Sequence, residues 1–291
     1  MKDLRFSVFT PCFNGERTIS RVFRAMESQT YKNFEWILIN DGSIDQSDSV
    51  IRKLISSSPI KDQITYVVQN NLGKHQAWNR AIDLASGELF VCADADDGFI
   101  PETLEFFSQK AKEVDLLASP TLCGIAVCAF NPKTGKRIGM GFREDGFVCD
   151  DLELAFKYKI RGEKWFCNRT DILRMEQYRF PTLLGPYYPE GRLWFGLAKD
   201  GYKMTCYNNP VRAYFYEENS LSNRLRKYNI RVALISYHYY FWEMSHIWLR
   251  IISYDFKAGL RILFRTPIAA GYKLCGGVII WLSRRVNLKW K

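Results

Sequence analysis

The chain has 291 residues, an apolar fraction of 47% and a formal net charge of +10, which suits a folded protein of one large domain or one domain plus an appendage. It contains no repeat and no low-complexity run, and its eight cysteines (Cys12, Cys92, Cys123, Cys128, Cys149, Cys167, Cys206 and Cys275) form no Cys-x-x-Cys pair. A disulfide frame and a zinc site are therefore not expected, and the thiols read as reduced side chains of a cytosolic protein.

In chain order, Met1-Lys2-Asp3-Leu4-Arg5 leads straight into a first strand, Phe6 to Thr10, so no signal peptide is expected. A turn at Pro11-Cys12-Phe13-Asn14-Gly15 precedes a helical pattern from Thr18 to Ser28. Phe34 to Asn40 reads as a second strand closed by Asp41-Gly42-Ser43, and Asp45 to Ser57 as a second helix. Ile64 to Val68, Gly73 to Ala85 and Glu88 to Ala93 follow as strand, helix and strand. Strands and helices alternating at this spacing predict βαβ units and a mostly parallel sheet with helices on both faces.

In such sheets ligands bind beyond the carboxyl ends of the strands. Those ends carry Thr10-Pro11, Asn40-Asp41-Gly42-Ser43, Asn70-Asn71-Leu72-Gly73 and, after Phe90-Val91-Cys92-Ala93, the acidic cluster Asp94-Ala95-Asp96-Asp97. Strands end in turns, and turn formers alone explain part of this composition. The cluster is more specific, because crowded carboxylates repel one another unless a counter-charge is present, and a hard divalent cation with oxygen ligands supplies one. The alternative is a solvated acidic loop that caps a helix beginning near Pro101.

Phe6 to Phe13, Asn40-Asp41-Gly42-Ser43, Asn71-x-Gly73 with Ala77 and Asn79, and Asp94-x-Asp96-Asp97 together resemble the successive signatures of family 2 glycosyltransferases with the GT-A fold. The resemblance covers roughly the first 110 residues. It implies a GT-A, Rossmann-like α/β domain and a nucleoside-diphosphate sugar, with a uridine diphosphate the favoured donor, lying across the rim. Thr10, Pro11, Phe13, Asn14, Asp41, Asn71, Lys74, Asp94 and Ala95 would bind this donor. Asp96, with Asp94 and Asp97, would hold Mn²⁺ or Mg²⁺ at the diphosphate. Lys74 and His75 open the third helix, where a cation and the helix dipole suit phosphate, although a solvated first turn explains them as well.

From Leu116 the alternation breaks down. Ser119 to Phe130 and a segment ending near Phe142, joined by a turn at Pro132 to Lys136, predict an added antiparallel ribbon. Asp150, Asp151 and Glu153 read as acids at a helix start. Glu163 to Arg169 predicts a strand with a short helix at Thr170-Asp171, Leu193 to Ala198 a helix, and Lys203 to Tyr207 and Val211 to Tyr216 two strands. In the resembled family a Glu-Asp pair stands just before a Leu-Trp helix, and its second acid is the catalytic base. Here Pro189 and Glu190 occupy those places, so the base assignment rests on Glu190 alone, against the alternative of a helix-start acid. Tyr187, Tyr188 and Trp194 suit stacking on a sugar or burial in a core.

Glu217 to Ser222 is a polar boundary between residues 1–221, a catalytic domain with donor-binding (1–115) and acceptor-binding (116–221) halves, and a tail, 222–291. The tail holds thirteen Lys/Arg against Glu243 and Asp255, so all the excess basicity lies there. Ile230 to Tyr254 is too polar for a membrane span, and Gly276 to Leu282 too short. Arg250, Lys257, Arg261 and Arg265 form a basic stripe at helical spacing opposite Phe256, Leu260 and Leu263, which predicts amphipathic helices lying in an anionic headgroup layer. The alternatives are packing against the catalytic domain or a homodimer contact. Basic residues along so apolar a segment fit lipid better than nucleic acid.

The expectation is thus an inverting, metal-dependent glycosyltransferase acting in bacterial cell-surface polysaccharide assembly on a lipid-linked acceptor, cytoplasmic and peripheral at the inner face of the plasma membrane. A sugar-nucleotide-forming nucleotidyltransferase is the alternative within enzymes, disfavoured because Pro11-Cys12-Phe13-Asn14 stands where it needs a glycine-rich basic loop. A non-catalytic sugar-nucleotide-binding scaffold is the alternative outside them, supported by Pro189 alone.

Overall fold

A computed structural model describes residues 3–182, 188–216 and 244–260. Its first half runs β1 (Phe6–Cys12), α1 (Ile19–Glu27), β2 (Phe34–Asp41), α2 (Ser47–Ser57), β3 (Ile64–Gln69), α3 (Lys74–Leu84) and β4 (Leu89–Cys92). Each element expected here is present close to its expected ends. There follow β5 (Gly98–Phe99), α4 (Thr103–Glu113), β6 (Leu122–Phe130), β7 (Phe147–Cys149), β8 (Lys164–Arg169), α5 (Thr170–Leu173), α6 (Gly191–Lys199) and β9 (Lys203–Ala213). Two short helices, α7 (Trp248–Tyr254) and α8 (Phe256–Leu260), complete the described residues.

Among the described residues the strands form one sheet in the order β3-β2-β1-β4-β8-β6-β9-β5, with β7 on β9. β3, β2, β1 and β4 are parallel, β8 is antiparallel to β4 and β6, and β6 and β9 are parallel. The first strands read as continuous apolar runs because both faces are covered, and side chains alternate between the two cores. Phe6, Val8, Trp36, Leu38 and Val91 pack with Val22 and Phe23 of α1 and Phe107 of α4. Phe9, Ile37, Ile39 and Phe90 pack on the opposite face with Trp78 of α3 and Leu193 and Leu197 of α6.

Several expectations are corrected. The antiparallel ribbon does not form: only Phe130 bridges to Arg137 beyond the turn. A Cβ on Gly139 would lie 2.4 Å from Cα of Gly162, and Met140 N donates to Arg161 O at 2.8 Å, so the chain is tied to the approach to β8 instead. β6 itself lies inside the main sheet. The two strands expected near the end of the domain are one, β9, irregular in register around Pro210 because proline has no N–H for the ladder.

The apolar segment from Ile230 to Tyr254 lies outside the described residues up to Glu243. The basic stripe is also corrected in part, because α7 and α8 are separated at Asp255, whose backbone is extended (φ −146°, ψ 96°), so Arg250 and Lys257 do not share one helical face. Arg250 turns inward to donate to Ala198 O at 2.5 Å and to pair with the buried Asp150, while Ile247 and Ile251 join the core beneath α6. The described part of the tail therefore packs against α6 and the segment that follows β7. Arg261, Leu263, Arg265, the boundary at 217–222 and the run 276–282 lie outside the described residues. Among the described residues no helix is long and apolar enough to cross a membrane.

Candidate active site

The chain leaves β1 for β2 and β3 on one side and returns to β4 on the other, so the sheet reverses its winding between β1 and β4. A crevice opens at the carboxyl ends of strands around such a reversal. The rims gathered there are those singled out in the sequence. Gly42, at φ +70°, brings the end of β2 so close to the β3 turn that a Cβ would lie 2.6 Å from Asn71 N, which only glycine tolerates. Asn14, in the left-handed region at φ 54°, ties the β1 turn to the β2 turn, its Oδ1 accepting from Ile44 N at 2.9 Å and its N donating to Ser43 Oγ at 3.0 Å.

The expected donor residues divide into two groups. Thr10 is fully buried and its Oγ accepts from Trp36 Nε1 at 3.0 Å. The Asp41 carboxylate accepts from Gln69 Nε2 at 2.8 Å, from Leu72 N at 2.9 Å and from Gly73 N at 2.8 Å, so it holds the turn that starts α3. Burial nonetheless raises its pKa. Phe13 and Asn71 are exposed, and Pro11, Asn14, Lys74, Asp94 and Ala95 are half-buried, leaving this second group open to a ligand.

The acidic cluster is crossed by two cations. Arg212, from the end of β9, is buried and donates through Nε to Asp97 Oδ2 at 2.7 Å, and its Nη2 lies 3.4 Å from Asp94 Oδ2. Lys74 Nζ lies 2.7 Å from Asp94 Oδ1 and 2.9 Å from Glu190 Oε1. Burial opposes the Lys74 charge, but Asp94 and Glu190 outweigh it and hold its pKa well above the usual lysine value. Burial likewise works against ionised Asp94, and Lys74 and Arg212 reverse the sign, keeping its carboxyl below the usual range. Glu190 stands at the position preceding α6 without capping it through its side chain. Its carboxylate reaches Lys74 instead.

At this site His75, Tyr188 with Trp194, and Asp97 are engaged in packing or pairing within the fold. His75 is buried between Phe180 and Tyr188, with ring centroids 6.1 and 6.3 Å away, and burial lowers its pKa to about 4, so it is neutral and no phosphate-binding cation. Tyr188 and Trp194 are core packing, Trp194 lying 4.5 Å from the Phe166 ring; Tyr187 lies outside the described residues. Asp97, expected among the cation ligands, is only 2% exposed and its carboxylate is taken by Arg212, while burial first, and the neighbouring acids, push its pKa up to about 7.

Of the three acids of the cluster, Asp96 is the one that forms no ion pair among the described residues. It is half-buried, its carboxylate accepts its own backbone N–H while its main-chain O accepts from Arg21 Nη1 at 2.5 Å, and burial and then Asp94 raise its pKa. A divalent ion beside it relieves both effects, so the donor set fits. Among the described residues no three His, Cys, Asp or Glu side chains converge, so such an ion would take its remaining ligands from phosphate oxygens and water, as Mg²⁺ commonly does.

A glycosyl transferase family 2 model matches residues 7–154, the stretch from β1 through the acidic cluster and beyond β7. The chain belongs to that family. Among family relatives, it is 31% identical over 234 residues to a GalNAc(5)-diNAcBac-PP-undecaprenol beta-1,3-glucosyltransferase of Campylobacter jejuni, covering 79% of this chain and 71% of the relative. Other curated relatives match over a shorter stretch: an uncharacterized glycosyltransferase of Nostoc sp. is 33% identical over 35% of this chain, and the match covers 31% of that protein. The match covers as little as 13% of the minor teichoic acid biosynthesis protein GgaB of Bacillus subtilis. Two solved structures share the fold. S. aureus TarS 1–349 aligns with TM-score 0.58 at 16% identity over 99% of this chain and 93% of that one. A mannosyltransferase of Pyrobaculum calidifontis aligns with TM-score 0.57 at 20% identity over 99% and 77%. Family membership leaves the nucleotidyltransferase alternative without support.

In this family 2 chain two further sets of residues support the site, Asn79 of the signature with Gln76, and Arg212, which was not singled out in the sequence. Asn79 grips the main chain of Phe180 from both sides, donating to its O at 2.8 Å and accepting from its N at 3.0 Å, and Gln76 donates to Pro181 O at 2.9 Å. Helix α3 thereby holds the main chain at Phe180 and Pro181, and the Asn79 position of the signature gains a physical reason. Arg212 carries no sequence signal, because it meets Asp97 only through the pairing of Phe99 with Arg212 between β5 and β9. Replacing Arg212 with Met strands a buried carboxylate, with an expected loss of about 3–5 kcal/mol in urea unfolding. Adding Asp97→Asn to that variant should recover part of the loss, and no recovery would show that the pair is not what Arg212 supplies.

Proposed function

We propose that this chain is an inverting glycosyltransferase that moves a sugar, hexosyl or hexosaminyl, from a nucleoside diphosphate, with uridine diphosphate favoured, to a hydroxyl of a lipid-linked glycan in bacterial surface-polysaccharide assembly. The observation that carries this reading is the Lys74 bridge, which brings Asp94 at the donor rim and Glu190 at the start of α6 to one ammonium group. The relatives lend support: TarS 1–349 has been solved with UDP and with UDP-GlcNAc, and the Pyrobaculum enzyme with GDP-Man and Mn²⁺. The C. jejuni relative bears a PP-undecaprenol acceptor in its name.

In this reading Pro11, Phe13, Asn14 and Asn71 flank the nucleoside, while Thr10 and Asp41 shape the pocket from behind. Glu190 accepts the proton of the acceptor hydroxyl as that oxygen bonds to the anomeric carbon from the face opposite the diphosphate. The carbon–oxygen bond to the diphosphate breaks and the nucleoside diphosphate leaves with the electron pair. Lys74, at the first turn of α3, lends a positive charge to the departing group, with the helix dipole behind it. Asp96, with Asp94 beside it, would hold Mn²⁺ or Mg²⁺, which would supply further neutralisation of charge on the leaving group. Asp97 contributes by fixing Arg212.

Binding is tested by thermal unfolding of the full chain with Mn²⁺ and a panel of sugar nucleotides. A ligand at about 100 times its dissociation constant stabilises the native state by about 2.7 kcal/mol, a readily visible shift. No shift with any uridine, guanosine or adenosine diphosphate sugar would remove the donor assignment.

The surplus charge of the tail is read as a contact with anionic headgroups, each Lys or Arg near the surface contributing about 1 kcal/mol. Since Ile247 and Ile251 belong to the core, deleting the tail would disturb the fold. The test is flotation of the full chain on phosphatidylglycerol liposomes, with Arg261, Arg265, Arg284 and Arg285 replaced together by Gln. The replaced chain should stay at the bottom of the gradient; flotation equal to the parent would remove the membrane contact.

A further inference from the structure

Lys74 is shared between two carboxylates that serve different partners. Asp94 faces the donor side of the crevice, and Glu190 belongs to the acceptor side. The ammonium lies within hydrogen-bonding distance of both, at 2.7 and 2.9 Å, and its side chain is 27% exposed while that of Glu190 is 55% exposed. An ammonium has three protons on a flexible four-carbon stem, so it can change partners without any main-chain movement. A diphosphate entering beside Asp94 brings at least two negative charges to the same place and competes with Glu190 for this cation.

We propose that Lys74 is an interlock between donor and base: with the crevice empty it occupies Glu190, and the donor diphosphate draws it away and releases the carboxylate for the acceptor hydroxyl. The proposal rests on the assignment of Glu190 as the base and adds the coupling between the two halves of the site. Lys74 is thus a positioning residue for Glu190 as well as a contact for the phosphates. The interlock makes donor binding and the freedom of Glu190 one equilibrium, and such coupling is reciprocal. Whatever removes the hold of Glu190 on Lys74 must strengthen diphosphate binding, and by the same factor.

Calorimetric titration of the full chain with UDP, GDP and ADP in the presence of Mn²⁺ tests this, using the nucleotide that binds the parent most tightly. Glu190→Gln should tighten that nucleotide by at least about fivefold, the lower end of usual coupling factors. In a Lys74→Met background the same substitution should produce little or no gain, because no ammonium remains to be released. Simple loss of a negative charge predicts the reverse, an equal or larger gain once Lys74 no longer screens Glu190. Lys74→Gln in place of Lys74→Met repeats the cycle, so that one misfolded variant does not decide it.

Unchanged affinity in Glu190→Gln, or a gain that persists in both Lys74 backgrounds, overturns the interlock. Failure of all three nucleotides to bind the parent removes the donor site and the interlock with it. The turnover of Glu190→Gln is a separate readout: if it equals the parent, Glu190 loses its role as base, whatever the affinity cycle shows.

Discussion

Glu190→Gln is expected to lower turnover by a factor on the order of 10² or more without weakening nucleotide binding, because an amide cannot take the acceptor proton and a general base contributes about that much. Two further acids, Asp150 and Asp151, follow β7. Asp150 is fully buried, pairs with Arg250, and accepts from Glu153 N at 2.9 Å as a helix-start acid should. Asp151 is half-buried, and burial followed by the charge of Asp150 raises its pKa to about 7. Turnover of the Gln variant within a few-fold of the parent, measured with saturating donor, would move the proton acceptor elsewhere, with Asp151 and Asp150 the next candidates.

Asp96→Asn should abolish Mn²⁺-dependent donor binding and leave the fold intact. The amide keeps the size of the side chain but neither its charge nor its hold on a hard cation. Among the described residues no side chain donates to the Asp96 carboxylate, and the Arg21 bond to its main-chain O survives the substitution, so unfolding free energy should change by no more than about 0.5 kcal/mol. The two measurements, donor titration with and without Mn²⁺ and urea unfolding, separate loss of the ion from loss of the structure. A variant that binds donor and Mn²⁺ as the parent does would show that the ion is held by other groups.

What could be read from the sequence follows from where each signal is local. β1, β2 and β4 were legible because strands covered on both faces are unbroken apolar runs, and their rims because Asn40, Asp41, Asn71 and the acids of 94–97 stand where such runs stop. The role of Asp97 was not legible. Its partner Arg212 is 115 residues away and arrives through a strand pairing that only tertiary structure specifies. The same holds for the Lys74–Glu190 contact: each residue was a candidate alone, and nothing in either segment indicates that they touch. The ribbon after Phe130 failed because the close approach of Gly139 to Gly162 recruits that segment elsewhere. The basic stripe failed where the helical period stops at Asp255, and where Arg250, which periodicity places with the other cations, finds Asp150 in the domain.

The measurement that bears most directly on the account is the product analysis of the full chain incubated with Mn²⁺, a sugar nucleotide selected by thermal stabilisation, and a polyprenyl-diphosphate-linked acceptor. One free nucleoside diphosphate should appear for each sugar transferred, the new glycosidic bond should have the anomeric configuration opposite to that of the donor, and both should vanish in Glu190→Gln. Release of pyrophosphate in place of nucleoside diphosphate, or a product that retains the donor configuration, would contradict it.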